Sequence, residues 1–240
     1  MEEYEMADLM KLQNGSDIRG IACEGVAGEA VNLTGEAGNL IGGGFVRWLA
    51  DKKGKSPDAL RIGIGHDSRI TADSLFAAAA KGIVAAGAKV YDCGLVSTPS
   101  MFMTTVFEEF AFDGAIMITA SHLPFNRNGY KFFDRDGGLE HDDITKILET
   151  ASGLTEVDAD LSGVEKVDSI SVYCRFLQEK IKKSINAVSY DKPLAGLHIV
   201  VDTGNGAGGF FVEKVLNPLG ADTSGSQYLE PDGQFPNHIP

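Results

Sequence analysis

Short apolar runs alternate along the chain with longer segments whose apolar residues recur at helical spacing. Residues 60–66 (LRIGIGH) read as a short buried strand. Residues 72–86 (ADSLFAAAAKGIVAA) read as a helix, with Thr71 as N-cap and Gly87 just past its end. Residues 88–92 (AKVYD) are a second strand, which makes the unit a right-handed parallel crossover. The order then repeats. Thr98-Pro99 looks like an N-cap followed by a helix-starting proline and opens a helix near 99–110. Residues 113–119 (DGAIMIT) are a buried strand, 129–133 a short strand, and 142–151 a helix with Asp142 and Asp143 in its first turn. Upstream, Leu33-Thr34 begins a helix that runs to about Ala50.

Alternation of this kind predicts a layered α/β/α domain with a mixed, mostly parallel sheet, over residues 1–165. Residues 152–168 are polar and without periodicity and read as a linker. A helix over 169–186, a strand over 197–202, a Gly-rich turn and a helix over 207–219 follow. Residues 166–240 therefore read as the start of a second, similar domain. One strand and two helices are too little to close a sheet covered on both faces. Such a sheet leaves an edge open to pairing, which allows self-association of the chain.

Composition narrows the partners. The formal net charge of −13 argues against nucleic acid or an anionic membrane surface, though a few local cations suffice for a phosphorylated small molecule. Three widely spaced cysteines (Cys23, Cys93, Cys174) form neither a disulfide framework nor a metal-ligand spacing. The N-terminus, MEEYEMADLMK, lacks the cationic and apolar regions of a signal peptide, and no apolar run reaches the ~20 residues of a membrane span. A cytoplasmic protein is expected. Glycine makes up 29 of 240 residues, well above the usual share of about 7%. That excess suits tight turns and backbone that approaches a ligand closely.

Four stretches could carry chemistry. Asn14-Gly15-Ser16-Asp17-Ile18-Arg19-Gly20 holds an arginine that could clamp phosphate, though alone it reads as a surface arginine paired with an aspartate. Gly65-His66-Asp67-Ser68-Arg69 follows a strand, where α/β sheets collect ligands, yet Asp67 and Arg69 can also satisfy each other and stabilise the corner. Gly204 to Gly209 matches G-x-G-x-x-G, but it lies late in the chain and no second strand ends in an acidic residue at the expected distance. A tight turn explains it better than a dinucleotide site. The fourth stretch, Ile118 to Phe133 (ITASHLPFNRNGYKFF), delivers Ser121 and His122 into a loop straight after a buried strand, with Asn128, Gly129 and Lys131 following. An acyl-transfer elbow needs Gly two residues either side of the serine. Thr119 and Leu123 stand there instead, which disfavours that chemistry.

Taken together these stretches resemble the α-D-phosphohexomutase superfamily, the phosphoglucomutases and phosphomannomutases. Thr119-Ala120-Ser121-His122-x-Pro124 with Asn128-Gly129-x-Lys131 resembles its phosphoserine loop. Asp17-Ile18-Arg19-Gly20 resembles its arginine loop, Gly65-x-Asp67-x-Arg69 the segment after its first-domain strand, and Asp202 to Gly209 the turn opening its second domain. Pro231-Asp232-Gly233-x-Phe235-Pro236-Asn237-His238 resembles the loop before its metal site. Leu123 departs from the Asn usual after the Ser-His pair, and His66 from a frequent Arg.

The resemblance implies a mutase that moves phosphate between O1 and O6 of glucose or mannose phosphate. Phosphorylated Ser121 would donate its phosphoryl group, and a hexose 1,6-bisphosphate would serve as intermediate and activator. Arg19, Asn128 and Lys131 would bind phosphate or substrate, Lys131 would act as general base, and His122 would assist proton transfer or positioning. A lysine starts from a pKa of about 10.4, so a base at neutral pH needs surroundings that favour its neutral form. Asp67 and Arg69 would support the site structurally. Mg²⁺ would be held through the phosphate on Ser121, with three Asp ligands expected beyond Pro240, and the chain alone is expected to be inactive. A phosphoglucosamine mutase, or a non-catalytic fragment that keeps the fold, are the alternatives.

Overall fold

The computed structural model describes residues 8–240, so most of the acidic leader lies outside the described residues. The strands are β1 (Gln13–Asn14), β2 (Asp17–Ile21), β3 (Arg61–His66), β4 (Lys89–Leu95), β5 (Gly114–Ile118), β6 (Arg127–Asp134), β7 (Gly137–Gly138) and β8 (Glu165–Lys166). They form one sheet in the order β1-β2-β6-β5-β3-β4-β8, with β7 beside β6. One side of it, β5-β3-β4-β8, is parallel, while β1, β2, β6 and β7 pair antiparallel. The sheet is thus mixed as expected, with the crossover unit in its parallel part.

The helices are α1 (Gly35–Lys53), α2 (Ala72–Ala85), α3 (Thr98–Thr104), α4 (His141–Ser152) and α5 (Ser169–Ser184). Helices α1, α2 and α4 cover one face, burying Phe45, Leu49, Ala79, Ile147 and Leu148 against Ile62, Ile64, Ile116 and Phe132. Helices α3 and α5 cover the other, where Met101 and Ile170 meet Ala115, Met117 and Phe112. Full burial on both faces explains why β5 is an unbroken apolar run, with all five residues buried. Among the described residues no helix is long and apolar enough to cross a membrane.

The caps bear out one expected helix start and one expected end, and change two other starts. Thr34 caps α1, its hydroxyl accepting from the Ala37 N–H at 3.1 Å. Thr71 precedes α2 but does not cap it, because its hydroxyl accepts instead from the Asn128 amide at 2.9 Å. Gly87 ends that helix with φ +101°, as read. Ser97 rather than Thr98 is the N-cap of α3, and Ser100 Oγ accepts from its N–H. That helix stops at Thr104, short of 110, and the chain passes through turns to Ala111 at φ +44°.

The segment read as a linker is docked. Both ends of the Asn39 amide bond the Val157 backbone, and Leu154, Leu161 and Val164 pack on the core. Residues 165–166 are themselves a strand, beside β4, so the sheet of the first unit uses residues on both sides of the division at 165/166. Past α5, two further expectations change. Residues 197–202 form no strand ladder; two isolated parallel bridges, His198 to Asp222 and Asp202 to Gln227, are all that pair them. A strand needs a neighbour along its length, and Leu197 and Val200 stay half exposed here. The helix over 207–219 shrinks to a π-helical turn at Val212–Leu216. Gly206, Gly208 and Gly209 weigh against helix at its start.

Candidate active site

Strands β3 and β5 run parallel and in register, with His66 beside Ile118, so their following loops emerge together at the C-terminal edge of the sheet. The loop after β5 carries Ser121 and the loop after β3 carries Asp67 and Arg69. A chain of hydrogen bonds joins them. Thr119 Oγ1 donates to Asp67 Oδ2 at 2.6 Å and accepts from the Ser121 N–H at 3.1 Å. Asp67 Oδ1 accepts from the Arg69 N–H at 3.0 Å.

Arg69 does far more than pair with Asp67. Its side chain is buried, with the residue 1% exposed, and its guanidinium donates to four backbone carbonyls. These belong to Ser121 (2.9 Å), Leu123 (2.7 Å), Pro124 (2.7 Å) and Arg127 (2.9 Å). One planar fork therefore gathers the whole serine loop. Burial pushes the guanidinium below its usual range, Asp67 opposes that, and Arg19 adds to it. An arginine starts so high that it stays a cation regardless.

The loop presents Ser121 outward. The residue is exposed and its backbone sits in the left-handed region at φ +56°, rare for a non-glycine residue. His122 is also exposed, with Nδ1 3.4 Å from Ser121 Oγ. On the far side of the loop, Glu29 accepts from Asn126 and Arg127, which holds its carboxyl below the usual carboxylate range, the Asn126 bond first among the causes.

The antiparallel pair β2–β6 brings in the cations. Its register sets Ile18 opposite Tyr130 and Arg19 opposite Gly129, which places Asp17 beside Lys131 one step further along. Lys131 Nζ lies 2.8 and 2.6 Å from the two Asp17 carboxylate oxygens. Arg19 reaches Asp17 Oδ2 through Nη2 (2.8 Å) and Nε (3.3 Å), while its Nη1 donates to the Ala120 carbonyl at 2.9 Å. Arg19 is therefore paired with an aspartate, yet it is not a solvated surface residue: its side chain is 13% exposed and touches the serine loop.

Asn128 needs correction as a substrate-binding residue. It is fully buried, its amide donates to Thr71 and its carbonyl oxygen accepts from the Gly129 N–H, so it holds the turn together instead. Gly129 is required by close approach. A Cβ there would run into the Ile18 carbonyl oxygen and lie 3.1 Å from the Arg19 Cα.

Asp17 is the site residue that the motif reading passed over. Two signals were available: Asp17 and Arg19 are two apart on a strand, so they share a face, and the opposite strand carries Lys131. The Gly204 to Gly209 run serves the chain itself. Gly209 lies against the Leu229 carbonyl, Gly204 under the His238 ring, and Asn205 bonds Tyr228, Glu230 and Asn237. Asp202 Oδ1 sits 3.1 Å from His238 Nε2, which holds the carboxyl below its usual range. Among the described residues no three His, Cys, Asp or Glu come together in a way that could hold a metal ion.

Residues 10–157 match the family model described as phosphoglucomutase/phosphomannomutase, alpha/beta/alpha domain I. The chain is 31% identical over 216 residues to a phosphoglucosamine mutase of Caldicellulosiruptor saccharolyticus, covering 88% of this chain and 44% of that protein. It is 30% identical over 227 residues to a phosphoglucomutase of Neisseria gonorrhoeae, covering 93% of this chain and 44% of that one. A solved phosphoglucomutase/phosphomannomutase family protein from Burkholderia thailandensis superposes with a TM-score of 0.73 at 25% identity, over 97% of this chain and 46% of that chain. The chain thus spans less than half the length of these relatives.

Proposed function

The chain belongs to the phosphoglucomutase/phosphomannomutase family through its α/β/α domain I, and from that premise we propose that Ser121 is the phosphoryl carrier of a hexose-phosphate mutase. The observation that supports it most is the outward, left-handed presentation of Ser121 on a loop gathered by Arg69, beside the Arg19–Asp17–Lys131 cluster.

In the proposed reaction the P–O bond to Ser121 Oγ breaks as a new P–O bond forms to a sugar hydroxyl, whose proton passes to a base. The resulting hexose 1,6-bisphosphate turns over and returns its other phosphoryl group to Ser121. Such a transfer asks mostly for positioning and charge neutralisation. A phosphoserine carries about −1.5 to −2 charges near neutral pH. Arg19 suits planar two-point contact with its oxygens, and Lys131 supplies a mobile point charge. Lys131 is the proposed base: it would accept the sugar proton only as the neutral amine, after giving up its contacts to Asp17, and His122 assists through its position beside Ser121 Oγ. Bound Mg²⁺ would supply further neutralisation of phosphoryl charge. No group of His, Cys, Asp or Glu among the described residues forms a site for it, so on this chain only the phosphate oxygens of a phosphorylated Ser121 would be its ligands.

The residues brought together here handle the phosphoryl group, not the sugar ring. That is why glucose, mannose and glucosamine phosphates all remain substrates consistent with this half of the site. Intact mass of the purified chain tests the carrier: one added phosphoryl group, absent in Ser121→Ala, is expected. A phosphoryl group that persists in Ser121→Ala, or none after incubation of the full-length protein with glucose 1,6-bisphosphate, refutes it.

A further inference from the structure

Arg69 lies between two non-glycine residues whose backbones are both left-handed: Ser121 at φ +56° and Phe235 at φ +50°. On one side its terminal nitrogens hold the serine loop through four carbonyls. On the other, the Phe235 ring covers the guanidinium, with its centroid 5.2 Å from Cζ. The turn that carries Phe235 is seated backbone against backbone. A Cβ on Gly233 would lie 2.5 Å from the Ile70 nitrogen and 2.5 Å from the Ser68 carbonyl oxygen, so only glycine fits there. The turn is closed by the Phe235 N–H on the Asp232 carbonyl (3.0 Å) and tied to the second unit by the Asp232 N–H on the Asn205 carbonyl (2.8 Å). A bulky residue rarely adopts a positive φ, so the surrounding contacts must hold Phe235 in place.

We infer that Arg69 is a positioning residue through which the turn 231–236 holds the serine loop, so that the presentation of Ser121 depends on that turn being seated. The physics is direct. The four guanidinium–carbonyl bonds are strong while water is kept from them, and the Phe235 ring is both their cover and a cation–π partner. When the ring leaves, water competes for the same donors and the loop loosens around the Ser121 carbonyl. The catalytic meaning of this coupling rests on Ser121 being the phosphoryl carrier, but the coupling itself does not, so each can fail separately.

Hydrogen exchange on the purified 240-residue chain tests it. Phe235→Asn keeps a residue that tolerates a positive φ and removes the ring. It is expected to speed exchange of the amides in 119–127 by about tenfold, within the range a desolvated cation–π contact supplies, with β3 and β5 unchanged. Phe235→Tyr, which keeps the ring, should exchange like the parent. Arg69→Lys, whose single ammonium cannot reach four carbonyls, should loosen the same segment with Phe235 in place. Unchanged exchange of 119–127 in either Phe235→Asn or Arg69→Lys overturns the inference. So does a rise spread evenly over β3, β5 and α1, because the turn would then support the whole fold rather than the serine loop.

Discussion

Replacing Asp17 with Asn keeps the shape of the side chain and removes the charge that two cations share. The carboxylate accepts from Lys131 at 2.8 and 2.6 Å and from Arg19 at 2.8 and 3.3 Å. Side-chain exposures of 11% for Asp17, 13% for Arg19 and 26% for Lys131 place the cluster between buried and surface pairs. Removing one partner of a buried pair costs about 3–5 kcal/mol, and an exposed pair contributes about 0–1 kcal/mol. Asp17→Asn should therefore lower stability by about 2–3 kcal/mol, because it leaves two like charges facing each other. The measurement is urea unfolding in a buffer free of multivalent anions. A second arm adds inorganic phosphate. With Asp17 neutral, Arg19 and Lys131 form an unpaired anion site, so phosphate should restore much of the loss by binding the folded state. It should stabilise the parent less, because there Asp17 occupies the same donors. A variant within about 0.5 kcal/mol of the parent, the usual range for an unremarkable surface change, with no selective gain from phosphate, would refute the reasoning.

Three further outcomes follow from other contacts. Gly129→Ala should cost about 3 kcal/mol, at the upper end of overpacking, because the added Cβ meets the Ile18 carbonyl and the β2–β6 pair must part; a thermal midpoint equal to the parent's would contradict it. Asp134 is buried; desolvation alone would raise its pKa, but Lys52, the Asp136 N–H and Lys53 hold it below its usual value. Its folded pKa being the lower one, its contribution to stability is present above the unfolded value of about 3.9 and is lost as pH falls through the folded value. The gap in stability between parent and Asp134→Asn should accordingly shrink below about pH 4, and a gap independent of pH in acid titrations of unfolding would count against this. In the full-length enzyme, Lys131→Met should leave Ser121 phosphorylated and slow turnover by about 10²–10⁴-fold, the usual share of general acid–base catalysis; near-normal turnover would remove Lys131 as the base.

Patterning made the first unit legible because its elements obey their periods. β5 is apolar throughout and α4 carries its buried residues at Ile144, Ile147, Leu148 and Ala151. The serine loop stood out for a different reason: small, polar and glycine residues crowd the end of a buried strand, and some of them, Asn128 and Gly129 among them, serve the turn itself. Two features stayed hidden. The strand at 197–202 has the right residues, but a strand is a relation between two segments, and only two bridges join this one to its neighbour. Thr71 looks like a cap in sequence, yet the buried Asn128 amide claims its hydroxyl from another strand. In each case the deciding partner lies far away along the chain, where local pattern does not reach.

Arg69 shows most clearly why a site of this kind hides its supports. In the sequence it stands two residues from Asp67, and the two read as a self-contained ion pair. In the fold only Nε faces that carboxylate, at 3.4 Å, and the terminal nitrogens all go to main-chain carbonyls. Carbonyls carry no residue identity, so no motif can announce them. The division of labour has a physical consequence. A loop held by side-chain carboxylates would lose its supports to any incoming anion that competed for the same cation. Arg69 is buried and its terminal nitrogens are spent on backbone, so the phosphoryl group proposed for Ser121 would have nothing to take from it. Arg19 and Lys131 face the opposite situation, since Asp17 holds them in place and an anion can compete for them. The arrangement thus separates Arg69, committed to the loop backbone, from Arg19 and Lys131, for whose nitrogens facing Asp17 an anion can compete. Preorganisation of that sort lets phosphoryl charge be met with little rearrangement of the scaffold.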